Sequence, residues 1–149
     1  MTAIQDVLPK LITELRDDAA VTAIVHGRVA SPKAAPGWAD FDDHEDGSRK
    51  YKHAFIVVGR LSSPRRRRVP VQDPRFVIGC FGRNLAEAAE LRWAASNALH
   101  MTGPRVYPSG LGIYTSFEDT GGDQDSDPDT GQPVERFIVQ AIATTQAVA

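Results

Sequence analysis

Cysteine is almost absent from this chain of 149 residues: Cys80 is the only one, so no internal disulfide can form. It lies in a segment rich in Phe, Val and Ile, which indicates a buried thiol that acts as a small hydrophobic side chain. A reactive thiol needs basic or metal neighbours that lower its pKa, and its strand supplies neither. Cys80 is therefore expected to be structural.

Long apolar runs and a secretory signal are also missing. No stretch approaches the roughly 20 apolar residues that a membrane-spanning helix needs. The first residues, 1–6, lack the basic and apolar regions of a signal peptide. We therefore expect a protein that is made and used without export, with no membrane partner.

Recognisable catalytic motifs are missing as well. The sequence has no phosphate-binding loop, dinucleotide glycine pattern, nucleophile elbow or paired-cysteine zinc motif. The residues 42–46 group metal-ligand types, but adjacent ligands on a loop lack a defined metal spacing. The segment that begins at Asp123 fails as a calcium loop, because Pro128 and Val134 stand where Gly and Glu are required. We expect no catalytic residue, no metal, no cofactor and no enzyme activity.

The composition is that of one folded domain over residues 1–149, with 42% hydrophobic and 24% charged residues. The formal net charge is only −2, but the charges are segregated. Arg65 to Arg68 form one basic block, while Asp40 to Asp46 and Asp119 to Asp129 form two acidic ones. Such segregation indicates charged partners more clearly than the near-neutral total does.

The rest of the chain is organised around a strand that turns directly into the longest amphipathic helix. The strand, 76–82, is apolar on both faces, which predicts a central position in a sheet. Asn84 is a predicted N-cap with Glu87 as its capping-box partner, and Gly103-Pro104 ends the helix. The apolar residues of this helix recur at helical spacing: Leu85, Ala88, Leu91, Ala95, Ala98 and Leu99.

The remaining elements predict an α+β fold. A first helix extends to about Asp17, with Pro9 bending it or delaying its start, and Asp18 caps a second short turn that His26-Gly27 ends. Strands are predicted at 28–30, at 54–61, at 69–71 before an interruption at Asp73-Pro74, and over 105–107, 111–118 and 134–144. The expected architecture is a mostly antiparallel sheet with two main helices packed on one face.

Two long segments are predicted as flexible loops, at residues 31–53 and 119–133. Both are poor in apolar residues that offset the entropy of ordering. Two helices on one face also leave the other face of an apolar sheet to be covered, either by these loops or by another copy of the subunit.

The layout resembles the tail terminator proteins of long-tailed bacteriophages. The resemblance follows the order of elements: an N-terminal helix, the segment 18–29 with its short apolar turn, Gly, Arg and strand, an arginine-rich hairpin, and the Ala-rich helix AEAAELRWAASNAL. The segment 127–133 before a β-rich end is similar to the family's last hairpin. The acidic insertion at 38–53 departs from the family pattern.

The resemblance implies a structural virion protein of the tail and neck, assembled in the host cytoplasm. It implies a homo-oligomeric ring, usually of six subunits, that ends tube polymerisation and joins the tail to the head connector. The implied partners are the tail tube protein and the head-closing connector protein. The genome passes through the lumen, where transient contact with DNA is one role for the arginines.

The charged blocks are the predicted interface residues. We favour pairing between the basic block of one subunit and the acidic segment of its neighbour over a grip on DNA, which would retard the genome. The residues are Arg65, Arg66, Arg67, Arg68, Asp123, Asp125, Asp127 and Asp129.

Two alternatives stay open. Another neck protein, a stopper or an adaptor, is expected to be mostly β or mostly α. A small metal-dependent hydrolase is a rival from another class, and it would use Asp42, Asp43 or His44.

Overall fold

The computed structural model describes most of the chain between residues 7 and 144. The described ranges are 7–31, 41–43, 49–51, 53–62, 71–100, 103–106, 112–126 and 133–144. They form the helices α1 (Leu8–Asp17), α2 (Ala19–Val25) and α3 (Leu85–Leu99). The strands are β1 (Val29–Ala30), β2 (Phe41–Asp43), β3 (Arg49–Tyr51), β4 (Phe55–Ser62), β5 (Val71–Gln72), β6 (Arg75–Phe81), β7 (Arg105–Val106), β8 (Gly112–Ser126) and β9 (Pro133–Thr144).

The main sheet has the order β1-β4-β6-β9-β8-β7, and β5 also pairs with β9. Only β1 and β4 are parallel; the other pairs of this sheet are antiparallel. The α+β fold with a mostly antiparallel sheet is thus confirmed, and the short parallel β1 makes the sheet mixed. Parallel neighbours need a long connection, and the chain between β1 and β4 runs through residues 31–54, which include β2 and β3.

The central strand and its helix form as predicted. β6 lies between β4 and β9 and leads into α3. Pro74 interrupts the strand without shifting its register on β9, because Gln72 pairs with Ala143 and Arg75 with Gln140. The Pro74 carbonyl also accepts a hydrogen bond from the Ala141 amide. The irregularity instead lies on the other side, in β4 between Arg60 and Ser62.

The helix ends are set by local chemistry. α1 begins at Leu8, later than its apolar pattern, because Pro9 fits only the first turn of a helix. The Asp18 carboxylate accepts a hydrogen bond from the Val21 amide and so caps α2. His26 (φ 51°) and Gly27 (φ 84°) adopt left-handed conformations that end α2 and turn the chain into β1.

Asn84 caps α3 as predicted, through a hydrogen bond from the Glu87 amide to its side-chain oxygen at 2.9 Å. Glu87 completes the cap in a different way from the expected box. Its carboxylate accepts from the backbone amide and the guanidinium of Arg83, one residue before the cap. These hydrogen bonds hold the pKa of Glu87 below its usual value, against a smaller opposing effect of desolvation.

One core joins the three helices to one face of the sheet. Leu11 and Leu15 of α1, Val21 and Val25 of α2, and Leu91, Ala95 and Leu99 of α3 are fully buried against the strands. Their partners on the strands include Ile56, Val58, Phe76, Ile78, Cys80, Phe137 and Val139. Cys80 is fully buried, as predicted, and burial is the main cause that raises the pKa of its thiol.

The prediction of a loop at 119–133 is wrong for part of this range. Residues 119–126 continue β8 and pair with β9 as far as Ser126 opposite Pro133. The backbone ladder with β9 holds this polar segment, so aliphatic side chains are not needed for it to form a strand. Three register shifts bend β8, including one at Gly121 and Gly122. Residues 127–132 lie outside the described residues.

The predicted loop at 31–53 also contains regular structure. β2 and β3 form a two-stranded antiparallel sheet in which Phe41 pairs with Tyr51 and Asp43 with Arg49. The segment forms this hairpin although it has few apolar residues, because the two strands are held by backbone pairing with each other. Residues 32–40 and 44–48 lie outside the described residues, and the mobility of both segments stays a prediction.

Candidate assembly surface

The structure describes only part of the predicted charged interface. Arg65 to Arg68 lie outside the described residues, as do Asp127 and Asp129. Asp123 and Asp125 lie on β8, opposite Arg136 and Val134 of β9. The acidic segment is therefore partly an ordered strand beside a basic residue of its own chain, rather than a free loop.

The sheet has a second face, on the side away from the helices. Side chains alternate between faces along a strand, so the neighbours of the buried residues Val58, Ile78 and Val139 lie on this other side. Among the side chains that the structure describes, those that are apolar and partly exposed here define what we call the second sheet face: Val57, Val77, Phe81, Ile138 and Ile142. Val77 lies directly opposite Ile138, so the surface is continuous across β6 and β9.

An aromatic stack closes one end of the second sheet face. The rings of Phe55 and Phe81 lie in parallel with their centroids 4.6 Å apart. A Cβ on Gly79 would come within 3.2 Å of the Phe81 ring, so this glycine leaves room for the ring beside the strand. Phe55 is buried while Phe81 stays partly exposed. Phe81 is therefore only partly buried in the subunit.

Basic side chains adjoin the same surface. Arg75 pairs in register with Gln140, and Arg136 with Gly79, which places both arginines on the side of Val77 and Ile138. Both are partly exposed. Asp123 lies opposite Arg136 in register, so the second sheet face is an apolar surface bordered by charges of both signs.

A second partly apolar surface lies on the solvent side of α3. Leu85 is 52% exposed and Trp93 is 64% exposed, and Ala89 lies between them one turn from each. With the exposed Ala86, they form what we call the α3 stripe: Leu85, Ala86, Ala89 and Trp93. Trp93 is two residues, about 200° around the helix, from both Leu91 and Ala95, which face the core.

Sequence reasoning missed this stripe. Helical spacing groups Leu85 with the apolar residues of α3 that face the core, but Leu85 is exposed. Helical side chains point toward the N-terminus and cover the preceding turn, and Leu85 is the first residue of α3 and has no such turn. The sequence analysis makes no prediction for Trp93. Its position between Leu91 and Ala95 places it on the side of the helix opposite the apolar residues.

An ionic cluster fastens α3 to the β8–β9 pair. The Arg92 guanidinium contacts Glu118 at 2.8 Å and lies 3.8 Å from Glu135. Its charged centre also lies 5.7 Å from the centre of the Trp93 ring and 5.6 Å from that of Phe137. All three charged side chains are mostly buried. Because one guanidinium serves two carboxylates here, the cluster is suited to orienting α3 and the Trp93 ring.

Other polar contacts close the end of α3 against β8. The Ser116 hydroxyl donates to the Leu99 carbonyl at 2.6 Å, and His100 accepts from the Glu118 amide at 2.9 Å. Arg105 joins this region to α1 through Glu14 at 2.8 Å. These contacts attach the end of α3 to β8 and join β7 to α1.

Within the described ranges, no three His, Cys, Asp or Glu side chains are grouped closely enough to hold a metal ion. The same part of the chain has no helix that is long and apolar enough to cross a membrane. Comparison with protein-family models finds no match for this chain, and comparison with curated protein sequences finds none either.

Proposed function

We propose that this chain is a structural virion protein that forms a ring at the head-proximal end of a phage tail tube. The ring ends polymerisation of the tube and joins the tail to the head connector. Its partners are further copies of itself, the tail tube protein and the head-closing connector protein. No chemical reaction is involved.

The observation that supports this proposal most strongly is the second sheet face. Isolated exposed apolar side chains are ordinary, but a continuous apolar surface across adjacent strands is typical of interfaces. Val57, Val77 and Ile138 form such a surface on the side that the helices leave uncovered. Ring assembly buries it against a neighbouring subunit.

The mixed fold favours this proposal over the two other neck proteins. A stopper is expected to be mostly β and an adaptor mostly α. The chain combines a 15-residue helix, α3, with a sheet whose strands β8 and β9 have 15 and 12 residues. This combination agrees with the order of elements from which the resemblance was drawn.

We further propose that the basic block of one subunit, Arg65 to Arg68, contacts the acidic end of the β8–β9 pair of its neighbour. The acidic residues concerned are Asp123, Asp125, Asp127 and Asp129. Many weak, partly exposed ion pairs repeated around a closed ring add up, although each contributes little. Transient contact of the arginines with DNA in the lumen is the alternative role.

The test is to add the purified chain to tail tube protein during tube polymerisation. Electron microscopy measures tube length, and native mass spectrometry measures complexes with and without the tube protein. The proposal expects shorter tubes with the chain at one end and a stable complex with tube protein. Tubes of unchanged length without bound chain would contradict it.

A further inference from the structure

The end of α3 is attached to β8 by two hydrogen bonds that differ in chemistry. The Leu99 carbonyl accepts from the Ser116 hydroxyl at 2.6 Å, and the His100 ring accepts from the Glu118 amide at 2.9 Å. Leu99 is the last residue of α3 and His100 is its C-cap. A serine hydroxyl keeps its proton near neutral pH, whereas an imidazole gains or loses one between about pH 5 and pH 8. Only the second attachment can therefore respond to pH in this range.

The geometry of the second bond fixes the protonation state that it needs. The ring atom that accepts the bond is Nδ1 of His100. A backbone amide can only donate, so Nδ1 must offer its lone pair and carry no proton. In the protonated ring both nitrogens are donors. A proton on Nδ1 therefore sets two donors, the ring N–H and the Glu118 amide, against each other and removes the bond.

The position of Glu118 on β8 gives this bond a consequence. Glu118 pairs with Val139, and the register on β9 shifts between Glu118 and Thr120. The Glu118 carboxylate contacts Arg92 at 2.8 Å. His100 thus holds the backbone, and Arg92 the side chain, of the last residue before the irregularity. Strand irregularities bend a strand and disrupt its ladder locally, so the acidic part of β8 starts from a point that α3 fixes.

The charged groups around this end of α3 are engaged with one another. On the helix side of the sheet they form two clusters: Arg92 of α3 with Glu118 of β8 and Glu135 of β9, and Arg105 of β7 with Glu14 of α1. Helix α2 has no charged residue, and Arg75 and Arg136 lie on the sheet face away from α3. A protonated His100 would have to compete with an arginine for any of these carboxylates.

We propose that His100 is a pH-sensitive contact between α3 and β8. The neutral ring holds the Glu118 amide, and protonation releases this amide and loosens β8 at its register shift. The Ser116 hydroxyl keeps the end of α3 attached in both states, so the change is local. His100 is exposed, and its ring can exchange protons with solvent. The inference does not depend on the proposed ring, because every contact lies within one chain.

The test is residue-resolved hydrogen exchange of the full chain by NMR, from pH 8 to pH 5. Each rate is divided by the rate expected for an unstructured amide at the same pH, which gives a protection factor. Ring nitrogen signals in the same samples report the protonation of His100. We expect the protection of the Glu118 amide to fall about three- to tenfold, the factor that one hydrogen bond supplies, along the titration curve of His100. The Ile78 amide, in the centre of the sheet, should keep its protection.

Two substitutions at His100 separate the acceptor from the charge. His100→Asn places an amide oxygen near the position of Nδ1 and does not titrate, so the Glu118 amide should stay protected at both ends of the pH range. His100→Ala has no acceptor and should leave this amide poorly protected throughout. His53→Gln removes another exposed histidine and is the matched control, with the pH dependence of the unmodified chain.

Three results would overturn the inference. The first is equal protection of the Glu118 amide at pH 8 and pH 5 in the unmodified chain, which needs no variant to fold. The second is a ring signal that shows the proton on Nδ1 at pH 8. The third is a pH dependence that His100→Asn retains in full, since the titrating group would then lie elsewhere.

Discussion

Gly82 and Ala88 approach each other so closely that a Cβ added to Gly82 would come within 2.5 Å of the Ala88 backbone nitrogen. Gly82 joins the end of β6 to the start of α3, and Ala88 lies on the buried side of that helix. The absence of a side chain at Gly82 thus sets how closely the central helix enters the core beside the central strand.

We therefore expect Gly82→Ala to destabilise the fold, by about 1–3 kcal/mol, because the backbone of α3 has to move. Gly103→Ala is the control, since a Cβ there would meet nothing within 4 Å. Urea unfolding followed by circular dichroism measures both. Equal stability of the two variants would contradict the close approach.

Glu87 gives the fold a specific dependence on pH. Hydrogen bonds from Arg83 lower the pKa of this carboxyl in the folded state, so its contribution is present above the unfolded pKa of about 4.3. The contribution is lost as pH falls through the lowered folded value. The Arg83 side chain is 58% exposed, so the ion pair is expected to contribute only about 0.3–0.5 kcal/mol.

The measurement is the free energy of unfolding of the native chain minus that of Glu87→Gln, from pH 7 to pH 2. We expect the difference to shrink toward zero in the acidic part of this range. Asn84→Ala is the comparison, because it removes the neutral cap and should cost about 1 kcal/mol at every pH. A difference for Glu87→Gln that does not change with pH would exclude the charged interaction.

Arg92 is expected to contribute more to the stability of the fold than a surface ion pair does. Its replacement by Ala leaves Glu118 and Glu135 together without their shared cation in a mostly buried setting. We expect a loss of about 1–3 kcal/mol, between the values typical of exposed and buried pairs. A double-mutant cycle with Glu118→Gln measures the coupling, and strictly additive losses would show that the two side chains do not interact.

The central unit could be predicted from the sequence because its signals are local. Two-sided apolar character placed β6 in the sheet interior, and Asn84 marked the start of α3. The extension of β8 to Ser126 could not be predicted, because this segment is polar. Its strand conformation comes from backbone pairing with β9 and not from apolar side chains. The exposure of Trp93 follows from its position between Leu91 and Ala95, whereas the strand order that forms the second sheet face is seen only in the structure.

Replacement of Arg65 to Arg68 by four serines is expected to weaken oligomerisation, most clearly at low salt, where screening is least. The subunit should remain folded. Sedimentation at several salt concentrations measures assembly, and a parallel titration with duplex DNA measures affinity for nucleic acid. Unchanged assembly at every salt concentration together with lost DNA affinity would favour the lumen role of the arginines instead.

The most direct test of the proposed ring is the native mass of the unmodified chain. The subunit has a mass of 16.2 kDa. We expect one discrete assembly at an integer multiple of this mass, six for the ring that the resemblance implies. A single species of 16.2 kDa at all concentrations would contradict the central claim.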